Sequence, residues 1–355
     1  MGFSGWRANW LGRARDLGQG LSEDYFKKNN APYLKWLLVG IAAFLLICSL
    51  IGWYWSQEPE PFSVVENART KSGDNHSIVG VTTTTTLIRV TETLLDKRGG
   101  YLSNDIAPPG VWLDNIPSWE YGALTQAREL AKAMEEAFSR SQSQSKDDAD
   151  LVLAKSRLNY DHQSWLFPAT ESEYRDGIKH LQSYLDRLTD NDDFNAQFYS
   201  RADNLNYWLR VVETKLGSLS QRLSASVGRQ QLNVDLAGDP AARQATPAPK
   251  DQEVKTSWLE IDDVFYEARG SSWALMHFLK AVEVDFADVL EKKNARVSVR
   301  QIIRELEGAQ QPVRSPLILN GNGFGLWANH SLVMASYISR ANAALIDLRE
   351  LLAQG

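Results

Sequence analysis

Cysteine is nearly missing from this sequence: 355 residues contain one, Cys48, and it sits inside an apolar run. The rest of the chain therefore has no disulfide, and thiolate zinc sites, iron–sulfur clusters and cysteine nucleophiles are excluded there. Stability has to come from packing. A surplus of positive charge is missing as well. The net charge is -6 with both signs scattered, so no basic face exists to neutralise phosphates, and nucleic acid is not an expected partner. The histidines, five in number, never fall at His-x-x-x-His or Glu-x-x-His spacing, so neither a metal nor another cofactor is expected. His277, between Met276 and Phe278 on an apolar stretch, reads as a satisfied core histidine.

No G-x-S-x-G elbow, P-loop or G-x-G-x-x-G occurs. The glycine-rich piece from Asn320 to Gly325 has neither a P-loop lysine nor a preceding βαβ unit, and reads as a tight loop before the last helix. Long hydrophobic runs are scarce too, which makes the one present informative. From Trp36 to Trp55 no charge occurs, and at 1.5 Å per residue such a helix spans the ~30 Å hydrocarbon layer. Tyr33 and Trp36 at one end, and Trp53, Tyr54 and Trp55 at the other, supply the aromatic belts of both interfaces. A cleavable signal peptide fits poorly, because the run is too long and no small-x-small site follows it.

The flanks give the segment a direction. Arg7, Arg13, Arg15, Lys27, Lys28 and Lys35 precede it, whereas Glu58, Glu60 and Glu66 follow and no basic residue appears until Arg69. The positive-inside rule places the N-terminus in the cytoplasm and the rest across the membrane. Without disulfides, a bacterial inner membrane with a periplasmic C-terminal domain is the expected setting. The bilayer is then a partner through residues 36–55.

Six regions follow: a basic tail over 1–31, either an amphipathic helix on the leaflet or a frayed topology signal; the transmembrane helix over 32–57; a stalk over 58–81; a helical region over 82–227; a linker or mobile loop over 228–257; and a second helical region over 258–355. Leu87, Val90 and Leu94 recur at helical spacing despite the threonine run before them. Leu124, Ala127, Leu130, Met134 and Phe138 form a clear stripe. Thr170 with Glu173 resembles a capping box. Stripes over Tyr174–Leu188 and Leu205–Leu219, separated by a short turn, predict an antiparallel helical hairpin. No alternating strand pattern intervenes, so the expected fold is mainly α, a single N-terminal transmembrane helix followed by a helical-bundle-like domain.

Candidate chemistry is sparse. Glu260 and Asp262 beside Trp258, with Glu120 beside Trp119, are the acids that could pair for glycoside hydrolysis; the competing reading is solvated first turns that favour the helix dipole. Trp112, Trp119, Trp258 and Trp327 stand at helix starts and could line a groove for glycan, lipid or a partner helix, or simply pack in the core.

The basic tail before the apolar run, TTTTTLIRVTETLLDKRGGYLSNDIAPPG, ARGSSWALMHFLKAVEVDF and GFGLWANHSLVMASYISRANAALIDLRELL resemble a family of uncharacterised proteobacterial inner-membrane proteins over residues 30 to 355. That resemblance implies a domain of unknown function and transfers no catalytic residue. Two functions are carried forward: a periplasmic interaction or scaffold protein with a protein partner in the envelope, which is favoured over an enzyme, and an envelope glycan (peptidoglycan) hydrolase using paired carboxylates.

Overall fold

A computed structural model describes residues 32–140, 146–190, 195–232, 251–315, 317–322 and 326–354. The tail over 1–31, and with it the question of an amphipathic helix, lies outside the described residues. Two compact units emerge, Met1–Trp53 and Tyr54–Gly355.

Helix α1, Pro32–Trp55, carries the apolar run. The most apolar 18 residues within Tyr33–Trp55 have a mean hydropathy of 2.4, and among the described residues this is the one helix long and apolar enough to cross a membrane. Nearly all its side chains are exposed, which a core helix of a soluble domain would not tolerate.

The unit from Tyr54 onward is mainly α, as expected. Its helices are α2 (Val64–Ser72), α3 (Val81–Asp96), α4 (Asn115–Ala133), α5 (Ala149–Leu158), α6 (Thr170–Leu188), α7 (Ala202–Ser224), α8 (Ile261–Asp285), α9 (Ala287–Lys292), α10 (Arg296–Ala309) and α11 (His330–Ala353). A π turn, Met134–Phe138, extends α4. Regions 82–227 and 258–355 share one core, because α4 packs along α8, α7 along α11, and α3 against α4, α6 and α8.

The threonine run is helical although β-branched residues favour strands. Thr82 to Thr86 are all buried, and two of their hydroxyls are satisfied inside the helix: Thr84 Oγ1 donates to Gly80 O and Thr85 Oγ1 to Val81 O, each at 2.8 Å, whereas Thr86 Oγ1 is buried without a partner. Back-bonding of this kind lets threonine enter a buried helix without an orphaned donor. Thr83 uses its backbone N–H and its hydroxyl on Asp285 Oδ2, both at 2.6 Å, so a carboxylate at the end of α8 caps the start of α3.

Helices α4 and α8 approach unusually closely. A methyl group on Gly122 would overlap the Glu267 carbonyl, and one on Gly270 would overlap the Trp119 carbonyl. Each glycine thus lets the other helix's backbone in, and Gln126 Nε2 bridges to Ser271 Oγ at 2.8 Å beside them.

Four expectations change. Residues 58–81 are not a free stalk: α2 buries Val64 and Ala68, and Phe62 packs on the core. The hairpin expected from α6 and α7 does not form. α6 packs on α5 and α3, whereas α7 packs on α11, because Phe198 wedges between Phe138 and Phe286 at 5.2 and 5.7 Å and leads the chain across the bundle. Thr170 is the first helical residue rather than a cap, its hydroxyl donating back to Asp161 O and Ser164 O. The linker begins and ends in strands, β1 (Arg229–Leu232) pairing antiparallel with β2 (Asp251–Val254), with 233–250 outside the described residues.

The helix directions bring particular loops together. The starts of α4 and α8 meet where Ser118 Oγ donates to Asp263 Oδ1 at 2.9 Å. Thr256, just before α8, bonds Ala225 beyond the end of α7, and Asn320, in the approach to α11, bonds Ser226 there at 2.9 Å. Asn104 Nδ2 reaches Ser164 O and Glu171 Oε2 at the start of α6. One end of the unit therefore gathers the starts of α4, α6, α8 and α11. The chain joins the unit at that end, where Trp55 packs over Gly99 and Arg98 lies 5.2 Å from the Tyr54 ring. We call it the proximal end.

Candidate functional site

The segment that leaves α1 is fastened to α8 at two points. Arg269, on the buried side of α8, clasps Glu58 with Nε to Oε1 at 2.6 Å and Nη2 to Oε2 at 2.5 Å. Its Nη1 donates to the carbonyls of Ala309 and Gln311, placing a cation at the carbonyl end of α10 where the helix dipole favours it. Two turns along α8, His277 is sealed in the core. Its Nε2 accepts the Phe62 backbone N–H at 3.0 Å, its Nδ1 lies 2.7 Å from Trp273 O, and the Phe62 ring stacks on it at 4.0 Å. An imidazole that donates from Nδ1 and accepts at Nε2 is neutral, and burial accordingly pushes His277 down to about 4. His277 thus fills the core role expected of it.

Glu120 is fully buried. Its Oε1 pairs with Lys97 Nζ at 2.6 Å and accepts from Leu102 N at 2.9 Å, while Oε2 accepts from Ser103 N at 2.8 Å and Ser103 Oγ at 2.5 Å. Lys97 also donates to Gly100 O. Burial pushes the Glu120 carboxyl up, and the Lys97 ammonium and the three donors pull it back. Both oxygens are engaged in holding the loop over 97–103, and no open face is left for a substrate.

Glu260 is exposed on the turn before α8, and Asp262 is partly exposed in its first turn. Asp263, their neighbour, is the residue bonded to Ser118, and its carboxyl is pushed up by burial and by Asp114, Asp262 and Glu260 nearby. The three acids named from the sequence are therefore placed differently: Glu120 enclosed with a lysine, Glu260 and Asp262 on open surface.

The tryptophans divide as sharply. Trp119 is buried and packs on Trp273 at 5.2 Å, whereas Trp112, Trp258 and Trp327 are 54%, 79% and 73% exposed. Trp165 joins the exposed group. All four exposed rings stand on the loops of the proximal end.

Beside them runs a groove of about 380 Å³ between α10 and α11, lined by Phe265, Val313, Val333, Met334 and Tyr337 with Arg314 at its edge. No group of three or more metal-binding side chains occurs among the described residues. The cluster nearest to a triad fails on connectivity. His180 and Ser183 both bond Asp150, which Arg187 also occupies, so the serine has no histidine to take its proton.

Sequence reasoning missed Lys97, Arg269 and Asp285. Arg269 carried a signal, a lone cation in the apolar helix ARGSSWALMHF; Lys97 and Asp285 carried none, since charged residues at helix ends are ordinarily solvated.

A family model described as "Uncharacterized protein conserved in bacteria (DUF2333)" matches residues 28–355. No curated protein and no solved structure matches the chain.

Proposed function

From the premise that the chain belongs to this uncharacterized bacterial family, we propose that it is a membrane-anchored, non-catalytic interaction protein of the cell envelope. In this reading α1 is held in the inner membrane with the basic tail in the cytoplasm, and the unit from Tyr54 onward meets a protein partner in the periplasm. One observation carries the choice of class: the buried charges are consumed by the fold. Lys97 and Glu120 lock a loop, Arg269 and Glu58 lock the segment after α1, and Asp285 caps α3. A glycan hydrolase needs two carboxyls facing one bond, about 5 or 6.5 to 9.5 Å apart. Glu120 has no free face to offer Glu260 or Asp262.

The groove between α10 and α11 is the surface we assign to the partner, since it is open and its lining is largely apolar, with two cations, Arg269 and Arg314, of which Arg269 is already paired with Glu58. An apolar helix face fits such a groove. The test is in-membrane crosslinking of the full chain followed by affinity purification, in parallel with Val333→Asp, a change at a half-exposed groove position. A reproducible partner lost in V333D supports the reading. Recovery unaffected by V333D overturns the groove, and peptidoglycan cleavage by the purified chain overturns the class. For orientation, a reporter fused after Gly355 is expected to be active only in the periplasm.

A further inference from the structure

Seven tryptophans lie beyond α1. Three of them, Trp119, Trp208 and Trp273, are fully sealed in the core. The other four, Trp112, Trp165, Trp258 and Trp327, are exposed, and every one stands on a loop of the proximal end. Neighbours on the same loops are as bare: Phe167 and Leu326 have essentially no cover. Large apolar side chains left in water singly need no explanation, but a set confined to one end marks a surface that is covered in the working protein.

We propose that these loop tips insert into the membrane interface, so that the proximal end of the unit rests on the same bilayer that α1 crosses. The inference depends on the reading of α1 as an anchor. Connectivity selects the occupant. Trp55 ends the apolar helix and is itself packed against Gly99 at the proximal end, so the residue that closes the membrane span and the four exposed rings share one end of the unit. From Glu58 the chain then runs away from that end along α8 to Phe62. Tryptophan is the side chain best suited to the interface, with a large apolar ring that fits the acyl boundary and an N–H that stays with the headgroups.

Charge indicates which lipid chemistry matters. The loops bearing the tips carry Asp105, Asp114, Asp161, Glu260 and Asp262, against Arg98, Lys255 and Arg314, with Lys97 consumed by Glu120, so attraction to anionic headgroups does not drive the contact. Ring burial does, and zwitterionic bilayers suffice.

The test uses the full chain with Cys48→Ser, which leaves no other cysteine, and single changes Trp165→Cys, Trp258→Cys or Trp327→Cys. A control, Val297→Cys, marks the exposed start of α10 at the other end. Each is labelled with an environment-sensitive fluorophore and reconstituted into phosphatidylcholine vesicles, with and without lipid bearing a headgroup-proximal nitroxide. The expected result is blue-shifted emission at the three tips, most of it lost to the nitroxide lipid, while the Val297 probe stays water-like and unquenched. Adding anionic lipid should change neither. Tips that behave like the control in vesicle-bound protein overturn the proposal and leave the anchor standing. A blue shift without quenching by lipid also overturns it, since another protein surface then covers the tips. Failure of the full chain to float with the vesicles refutes the anchor, and the docking with it.

Discussion

The backbone N–H of Phe62 donates to His277 Nε2 at 3.0 Å, across 215 residues of sequence. That bond requires the imidazole to be neutral, and burial holds its folded-state value near 4 against an ordinary 6.5. Unfolded chains bind a proton there between those values while the folded protein does not, so His277 contributes stability that is complete above pH 6.5 and is lost as pH falls toward 4.

Asp285 acts in the opposite sense. Burial pushes its carboxyl up to about 6 against an ordinary 3.8, so the folded state binds the extra proton and this group's contribution falls as pH rises from about 4 to 6. The two effects oppose each other across mildly acidic pH, each worth about 3 kcal/mol by the 1.36 kcal/mol that accompanies one pK unit. Asp285→Asn keeps an acceptor for the Thr83 N–H and removes the titration. Its melting temperature is expected to fall steeply from pH 6.5 to 4.5, where the parent's changes little. Parallel melting curves for the two proteins over that range would contradict the assignment.

His277→Gln is expected to show the reverse slope. It loses stability at neutral pH through the stacked Phe62 contact, but its remaining pH dependence follows Asp285 alone, with the melting temperature rising as pH drops from 6 to 4.5. Thermal melts at four or five pH values settle the sign, which a purely packing role for His277 would not reverse.

Lys97 and Glu120 form an ion pair with almost no solvent contact. Removing one partner of such a pair typically costs about 3–5 kcal/mol because the other charge is stranded, whereas neutralising both costs far less. Lys97→Met is therefore expected to be strongly destabilised in denaturant melts, and Lys97→Met combined with Glu120→Gln to recover most of that loss. Additive losses in the double variant would show that the two side chains act independently.

Gly122 and Gly270 should not accept even a methyl group. Each added carbon meets a backbone carbonyl of the facing helix rather than a flexible side chain, so α4 and α8 must separate and the Trp119–Trp273 contact at 5.2 Å must open. Gly122→Ala and Gly270→Ala are each expected to cost at least the roughly 1–3 kcal/mol of ordinary overpacking, while Gly217→Ala, whose neighbour stands 3.7 Å away, stays close to the parent. Equal melting temperatures for all three would refute the close crossing.

Local chemistry was legible without coordinates wherever it depended on neighbours in sequence. The apolar run, its charge flanks, the stripe through Leu124, Leu130 and Phe138, and the core role of His277 all follow from periodicity and composition. Where the sequence misled, a distant residue had intervened. The stretch after Pro61 reads as a polar stalk until Phe62 meets His277, and two striped helices joined by a short turn read as a hairpin until Phe198 finds Phe138 and Phe286. Glu120 reads as an acid beside a tryptophan, and nothing near it in sequence announces Lys97.

The sequence by itself determined that this is a helical protein of an uncharacterised family with one apolar span, stabilised without disulfides, because those properties are sums over local residues. Only the tertiary structure decided which charges are buried and paired, that the segment after the span is clamped to α8, and that four exposed tryptophans gather at the end where the chain emerges. Burial and proximity are set by helix directions and crossings, and long-range contacts such as Gly122 with Glu267 and Gly270 with Trp119 leave no periodic trace in the chain that makes them.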